Sequence, residues 1–249
     1  MIRQPELLVF TLGPKADSRR HRLLAEAHRE EEIGLRQGCL DAAVAAGREA
    51  GCRITLCSPL PFQLPLTTSY LAQGKGSFGV RLERALGALF ERSSGPRIVV
   101  GTDVPELAPR HLRAALDRVR ENPEAVVLGP SPDGGIYLLA VGLPLSGLAQ
   151  AVRWGSRHVF ADLLGLLRRA GRPAVVLAEA LRDLDRPADL DLWLGSGPAD
   201  DGRWKALRRQ LRRILDLRRR PLRPPFRLPV PSSPLPRSLT GRAPPLAAA

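Results

Sequence analysis

The sequence predicts an α/β fold, a mostly parallel sheet with helices on both faces. Three observations predict it. Short runs rich in Val, Ile and Leu recur along the chain; several are apolar throughout, as strands covered on both sides must be; and stretches of helical periodicity separate them. Strands are expected at 6–11 (ELLVFT), 53–58 (RITLCS), 97–101 (RIVVG), 125–129 (AVVLG), 136–142 (IYLLAVG) and 174–178 (AVVLA). Helices are expected over 35–50, 79–92 and 158–170, and from Pro109 onward, where Leu112, Ala115, Leu116 and Val119 repeat at i, i+3, i+4, i+7.

The 249 residues, 44% of them hydrophobic, suffice for one large α/β domain. No apolar run approaches the roughly 18 residues that span a bilayer, and the start MIRQPELLVF lacks the apolar core of a secretory signal. Cys39, Cys52 and Cys57 are odd in number and lack metal spacing, which predicts reduced core thiols in a cytoplasmic protein. The net charge of +13 is unevenly placed. Residues 203–249 hold 13 Lys and Arg against one acid, leaving 25 basic and 24 acidic residues in 1–202. The high isoelectric point belongs to the tail. We therefore divide the chain into a domain over 1–194, a linker over 195–202 (GSGPADDG), a basic amphipathic helix over 203–220, and a disordered tail over 221–249 with nine prolines. The basic helix has two candidate partners, an anionic membrane surface and nucleic acid; packing of its apolar stripe on the domain is the plainer alternative.

Acids stand at strand ends. Asp103 follows the 97–101 strand in GTDVPEL, Asp133 follows the 125–129 strand in GPSPDGGIYLL, and Asp183 and Asp185 follow the last strand in LRDLDRPADL. A parallel sheet would gather them along one edge, where ligands of such sheets bind. Carboxylates facing a basic loop suit a divalent cation and a diphosphate. Each has an ordinary alternative: a turn or helix cap for Asp103, a hairpin for Asp133 with Gly134 and Gly135, a cap for Asp185. The basic loop is LGPKADSRRHRLL, with Lys15, Arg19, Arg20 and Arg22 where the chain turns into a helix; a solvated helix face is the alternative. A second loop, QGKGSFGVR, places Gly74, Gly76 and Gly79 before a helix with Arg81 in its first turn, without a Walker or dinucleotide pattern. His21, His28, His111 and His158 form no metal pair and read as helix-surface residues. Trp154 lines a pocket or anchors the core.

These motifs resemble a bacterial family of glycosyltransferase-like proteins, the radical-SAM/selenodomain-associated or arsenosugar-biosynthesis type. Its pattern runs Phe-x-Lys-x-Pro-x-x-Gly-x-x-Lys-Thr-Arg-Leu, Gly-Asp-Leu-Gly-x-Arg, Gly-Thr-Asp-x-Pro-x-Leu, Gly-Pro-x-x-Asp-Gly-Gly-Tyr-Tyr-Leu, Trp-Ser-Thr and Asp-x-Asp, and the resemblance covers residues 6–194. The resemblance implies a GT-A, nucleotide-diphospho-sugar transferase-like fold. It places Arg20, Arg22, Gly79, Arg81, Thr102 and Asp103 on the nucleotide, with Asp103 also on a metal, Mg²⁺ or Mn²⁺. Gly134, Gly135 and Trp154 would shape the donor or acceptor pocket, and Asp133 or Asp185 would take the acceptor's proton. The chain departs from the pattern at Leu12 (Lys in the family), Asp17 (Gly), Ser77 (Asp), Ile136 (Tyr) and Gly155-Ser156 (Ser-Thr). The expected activity is transfer of a sugar from a nucleoside diphosphate sugar to a small acceptor. The alternatives are a guanylyltransferase-like nucleotidyltransferase and a degenerate, non-catalytic nucleotide-binding protein with a basic tail.

Overall fold

Alternation of buried side chains above and below the strands explains the layering. Leu7 and Val9 face one side of the first strand and Leu8 and Phe10 the other, all within the core. In the computed structural model, which describes residues 4–20, 22–62, 68–196, 202 and 204–219, the elements run β1 (Glu6–Phe10), α1 (Pro14–Arg20), α2 (Arg29–Glu49), β2 (Arg53–Ser58), β3 (Ser69–Ala72), α3 (Phe78–Arg92), β4 (Arg97–Val100), α4 (Pro109–Glu121), β5 (Val126–Pro130), β6 (Ile136–Val141), α5 (Val159–Arg169), β7 (Ala174–Val176), α6 (Pro187–Ser196) and α7 (Lys205–Arg219).

The seven strands form one sheet in the order β3-β2-β1-β4-β6-β5-β7. All neighbours pair in parallel except β6, which runs antiparallel to both β4 and β5. The expected α/β, mostly parallel architecture is therefore present, with one reversed strand. Helices α2 and α4 cover one face through Leu40, Val44, Leu112, Leu116 and Val119. Helices α3 and α5 cover the other through Leu82, Leu86, Leu89, Leu163 and Leu167. Each such fully buried Leu or Val contributes about 1.5–3 kcal/mol of transfer free energy. The three cysteines are buried thiols. The sheet ends on short strands, β3 of four residues and β7 of three.

The edge opposite the site is closed by Arg97. Fully buried, it donates to the main-chain carbonyls of Leu89 (2.9 Å), Ser93 (2.6 Å) and Gly95 (2.7 Å), satisfying the C-terminal end of α3 where β4 begins.

Two structural units are distinguished, one ending at Arg208 and one beginning at Arg209. In the first, Trp204 meets Trp193 edge-on at 5.3 Å and lies on Gly38, and the Arg208 guanidinium stands 4.2 Å from the Trp193 ring. In the second, the turns of α7 from Arg209 to Arg219 are the described part. Most of the expected linker and the whole expected tail over 221–249 lie outside the described residues. Among the described residues no helix is long and apolar enough to cross a membrane.

Candidate functional site

At the carboxyl ends of the strands lies a cleft of about 960 Å³, at the upper end of the size of small-molecule sites, ~300–1,000 Å³. Arg20, Arg81, Thr102, Asp103, Asp133, Gly135, Trp154 and Asp185 all line it. The acids meet there because separate connections converge. After β7 the chain follows the ends of β5 and β4: Leu177 N–H donates to Leu128 O (2.9 Å), Leu181 N–H to Pro130 O (3.2 Å) and Leu184 N–H to Asp103 O (2.8 Å). That path delivers Asp183 and Asp185, on either side of buried Leu184, beside Asp103. Glu179 pins the same segment. It accepts from Arg110 (2.8 Å) and from His111 Nε2 (2.8 Å), whose Nδ1 in turn accepts from Ala108 N–H (3.0 Å) and so fixes the neutral tautomer. His111 is thus buried and bonded, not the surface residue expected.

Crowding shows in the electrostatics. Burial, and then the neighbouring Asp185, push the Asp103 carboxyl up to about 6, with Arg36 opposing and Asp17 adding to the rise. Burial, and then Asp103, Asp133 and Asp185, push Asp183 up to about 7. Burial together with neighbouring carboxylates raising a pKa is an arrangement that functional clefts use. Arg36 reaches in from α2, donating to Leu184 O at 2.9 Å. Asp17 accepts from Thr11 (2.9 Å) and Thr102 (3.4 Å), so the carboxylate at the family's glycine position ties the first loop to the ends of β1 and β4.

The aspartates offer the hard oxygen donors that Mg²⁺ or Mn²⁺ takes, and a cation would offset their repulsion. Among the described residues no three His, Cys, Asp or Glu form a cage that could hold a metal ion. Carboxylates of this kind suit a cation held by one or two of them and completed by ligand phosphate and water.

Those raised carboxylates give a pH prediction. Their folded-state pKa values exceed the unfolded value, so the folded state binds protons more tightly, and ligand-free stability is gained as pH falls from about 7 toward 4 and lost as pH rises. The carboxylates favour a higher melting temperature at pH 5 than at pH 8, while buried His111, its pKa lowered chiefly by burial, works the other way below its unfolded value; Asp103→Asn, which leaves His111 in place, should make the change from pH 8 to pH 5 less favourable than in wild type. Glu179 and Asp162, held down at about 2 by Arg110 and Arg153, do not titrate in that window. An equal slope in wild type and variant would exclude the crowding.

Three expected site residues do other work. Arg22 faces a separate hollow with Ser18, Arg19 and Glu26, and pairs with Glu26 at 3.0 Å. Gly79 lets α3 pack: a Cβ there would stand 2.2 Å from Ala149 O. Gly134, at φ +93°, permits approach to Arg157 O, which a Cβ would meet at 2.1 Å. The first loop also differs from expectation. Arg19 and Arg20 occupy the last turn of α1 and Asp17 the first, so those arginines do not stand at the N-terminus of α1. His21, between them and Arg22, lies outside the described residues.

Other cleft residues were not singled out as site residues by the sequence. Arg36 sits inside a helical pattern where an arginine reads as solvent-facing. Gln73 is fully buried; its side-chain amide donates to Thr11 O (2.9 Å) and Cys57 O (3.0 Å), clamping the ends of β1 and β2, and its Oε1 accepts from Arg81. Phe78 was hidden at a position the family gives to Leu.

The open α/β sheet with one reversed strand is similar in fold to solved nucleotide-diphospho-sugar transferase-like structures. A candidate nucleotide-diphospho-sugar transferase from Desulfovibrio desulfuricans G20 superimposes with a TM-score of 0.70, at 17% identity, over 85% of this chain and 97% of its own. Rv0371c from Mycobacterium tuberculosis H37Rv superimposes with a TM-score of 0.52, at 16% identity, over 79% and 100%. Residues 35–156 match the family described as "Uncharacterized protein conserved in bacteria (DUF2064)". That match begins after the first loop, which carries the departures at Leu12 and Asp17, and ends at Ser156. No curated protein matches the sequence.

Proposed function

We propose that the protein is a metal-assisted transferase that moves a sugar from a nucleoside diphosphate sugar to a small acceptor. The observation that carries this reading is the meeting of Asp103, Asp133, Asp183 and Asp185, from separate strand connections, in one cleft that also presents Arg20 and Arg81. Asp103 would hold a divalent cation, which when bound neutralises charge on the departing diphosphate. Arg20 and Arg81 supply forked donors for phosphate oxygens. The bond from the sugar's anomeric carbon to the diphosphate breaks, the acceptor hydroxyl oxygen bonds to that carbon, and its proton passes to Asp133 or Asp185, both open to the cleft. Asp133 is held for this by its own turn, Gly135 N–H donating to its Oδ1 at 2.8 Å.

A thermal-shift panel of UDP-, GDP-, ADP- and CMP-sugars, with and without Mg²⁺ or Mn²⁺, tests the reading. At least one donor should raise the melting temperature, and more so with metal. Pyrophosphate release from a nucleoside triphosphate would move the assignment to a nucleotidyltransferase. No shift with any nucleotide would leave a non-catalytic protein.

A further inference from the structure

The cleft has two unlike walls. Asp103, Asp183, Asp185 and Arg36 stand on the side covered by α2 and α4. On the side covered by α3 and α5 stands a row of rings: Phe10 meets Phe78 edge-on at 5.1 Å, and Phe78 meets Trp154 at 4.6 Å. The Arg81 guanidinium lies 5.8 Å from the ring centres of both phenylalanines and is anchored on Gln73. Phe78 is among the few exposed large hydrophobic residues, 36% accessible, and it faces this cleft.

The row is held in place on every side. The Trp154 indole donates to Ala149 O at 2.7 Å, and the adjacent Arg153 forks onto Asp162 at 2.6 and 2.9 Å. Ser77 caps α3 just before Phe78, accepting from Val80 N–H at 3.4 Å. The absent side chain at Gly79 lets the first turn of α3 rest on the backbone of Ala149, the residue that anchors Trp154. Phe78 and Trp154 are therefore fixed relative to each other. Phe78, the exposed member of this row and fixed against Trp154, offers a ring on which one more flat ring can stack.

We propose that Phe78 and Trp154 seat the nucleobase of the ligand, so that the ligand crosses the cleft from the aromatic wall to the acid wall. This rests on the transferase reading and adds which wall reads the base. Trp154 is the reporter: the other two tryptophans, Trp193 and Trp204, are buried and do not line the cleft.

The test titrates the full chain with nucleoside 5′-monophosphates and, in parallel, ribose 5-phosphate, following tryptophan emission and calorimetric Kd. At least one monophosphate should quench emission, and Trp154→Phe should abolish that quenching. Phe78→Leu, which keeps an apolar side chain but removes the ring, should weaken that monophosphate about tenfold, and Phe78→Tyr should restore it. Ribose 5-phosphate affinity should be the same in all variants. Unchanged monophosphate affinity in Phe78→Leu, or equal weakening of ribose 5-phosphate, would overturn the proposal while metal-dependent nucleotide-sugar binding still stood. Absence of binding by any nucleotide or nucleotide sugar would overturn both.

Discussion

Asp103→Ala is expected to remove metal-dependent strengthening of nucleotide-sugar binding, a loss of at least about tenfold in affinity, or 1.4 kcal/mol. The reason is position. Asp103 follows the end of β4, its main-chain carbonyl accepts from Leu184 N–H, and its carboxylate folds back over Gly101, where a Cβ would lie 2.6 Å from Oδ1. It is the carboxylate whose neighbours include acids from the first loop and from the segment after β7. Its removal also relieves repulsion, so the ligand-free variant should melt no lower than wild type at pH 8. The two readouts separate a lost ligand from a lost fold. Calorimetry with Mg²⁺ and a donor showing the same metal dependence in Asp103→Ala and wild type would refute the assignment.

Gly134→Ala should be the most destabilising single methyl in the cleft region. The backbone there has φ +93°, which costs an L-residue about 1–2 kcal/mol, and the new Cβ would stand 2.1 Å from Arg157 O. The obstacle is main chain just before α5, and Phe160 N–H donates to Gly134 O at 3.0 Å, so neither partner can swing away alone. Overpacking adds about 1–3 kcal/mol, for a total of about 2–5 kcal/mol and a fall in melting temperature of roughly 5–15 °C at this chain length. Gly171→Ala is the comparison: φ is +67° but nothing lies within 4 Å of its Cβ. Similar losses at the two positions would mean that the close approach does not matter.

That glycine shows where sequence reading succeeds and where it stops. The Asp133-Gly134-Gly135 run was open to two readings, a hairpin or a site. It is a hairpin between β5 and β6, and Asp133 nonetheless lines the cleft. The reason for Gly134 lies 23 residues onward, in the backbone of Arg157, which no local pattern reveals. Gly79 is similar, its partner being Ala149. Strands buried on both faces were legible because burial writes itself as continuous apolar residues. β3 was not, since SYLA is short and only partly covered. The reversal of β6 follows from the hairpin reading of that run; the apolar strand itself reads alike in both orientations. Of the site, the acids at strand ends were legible from spacing. Arg36 was not, because an arginine in a helix reveals its target only once Leu184 O is placed beside it.

The outermost strands have a bearing on handling the protein in concentrated solution. With only four residues in β3 and three in β7, neither margin offers a long template on which a second copy could lay down its own strand. The folded chain should therefore resist fibre-like accretion through its sheet, and any clumping should trace to other surfaces.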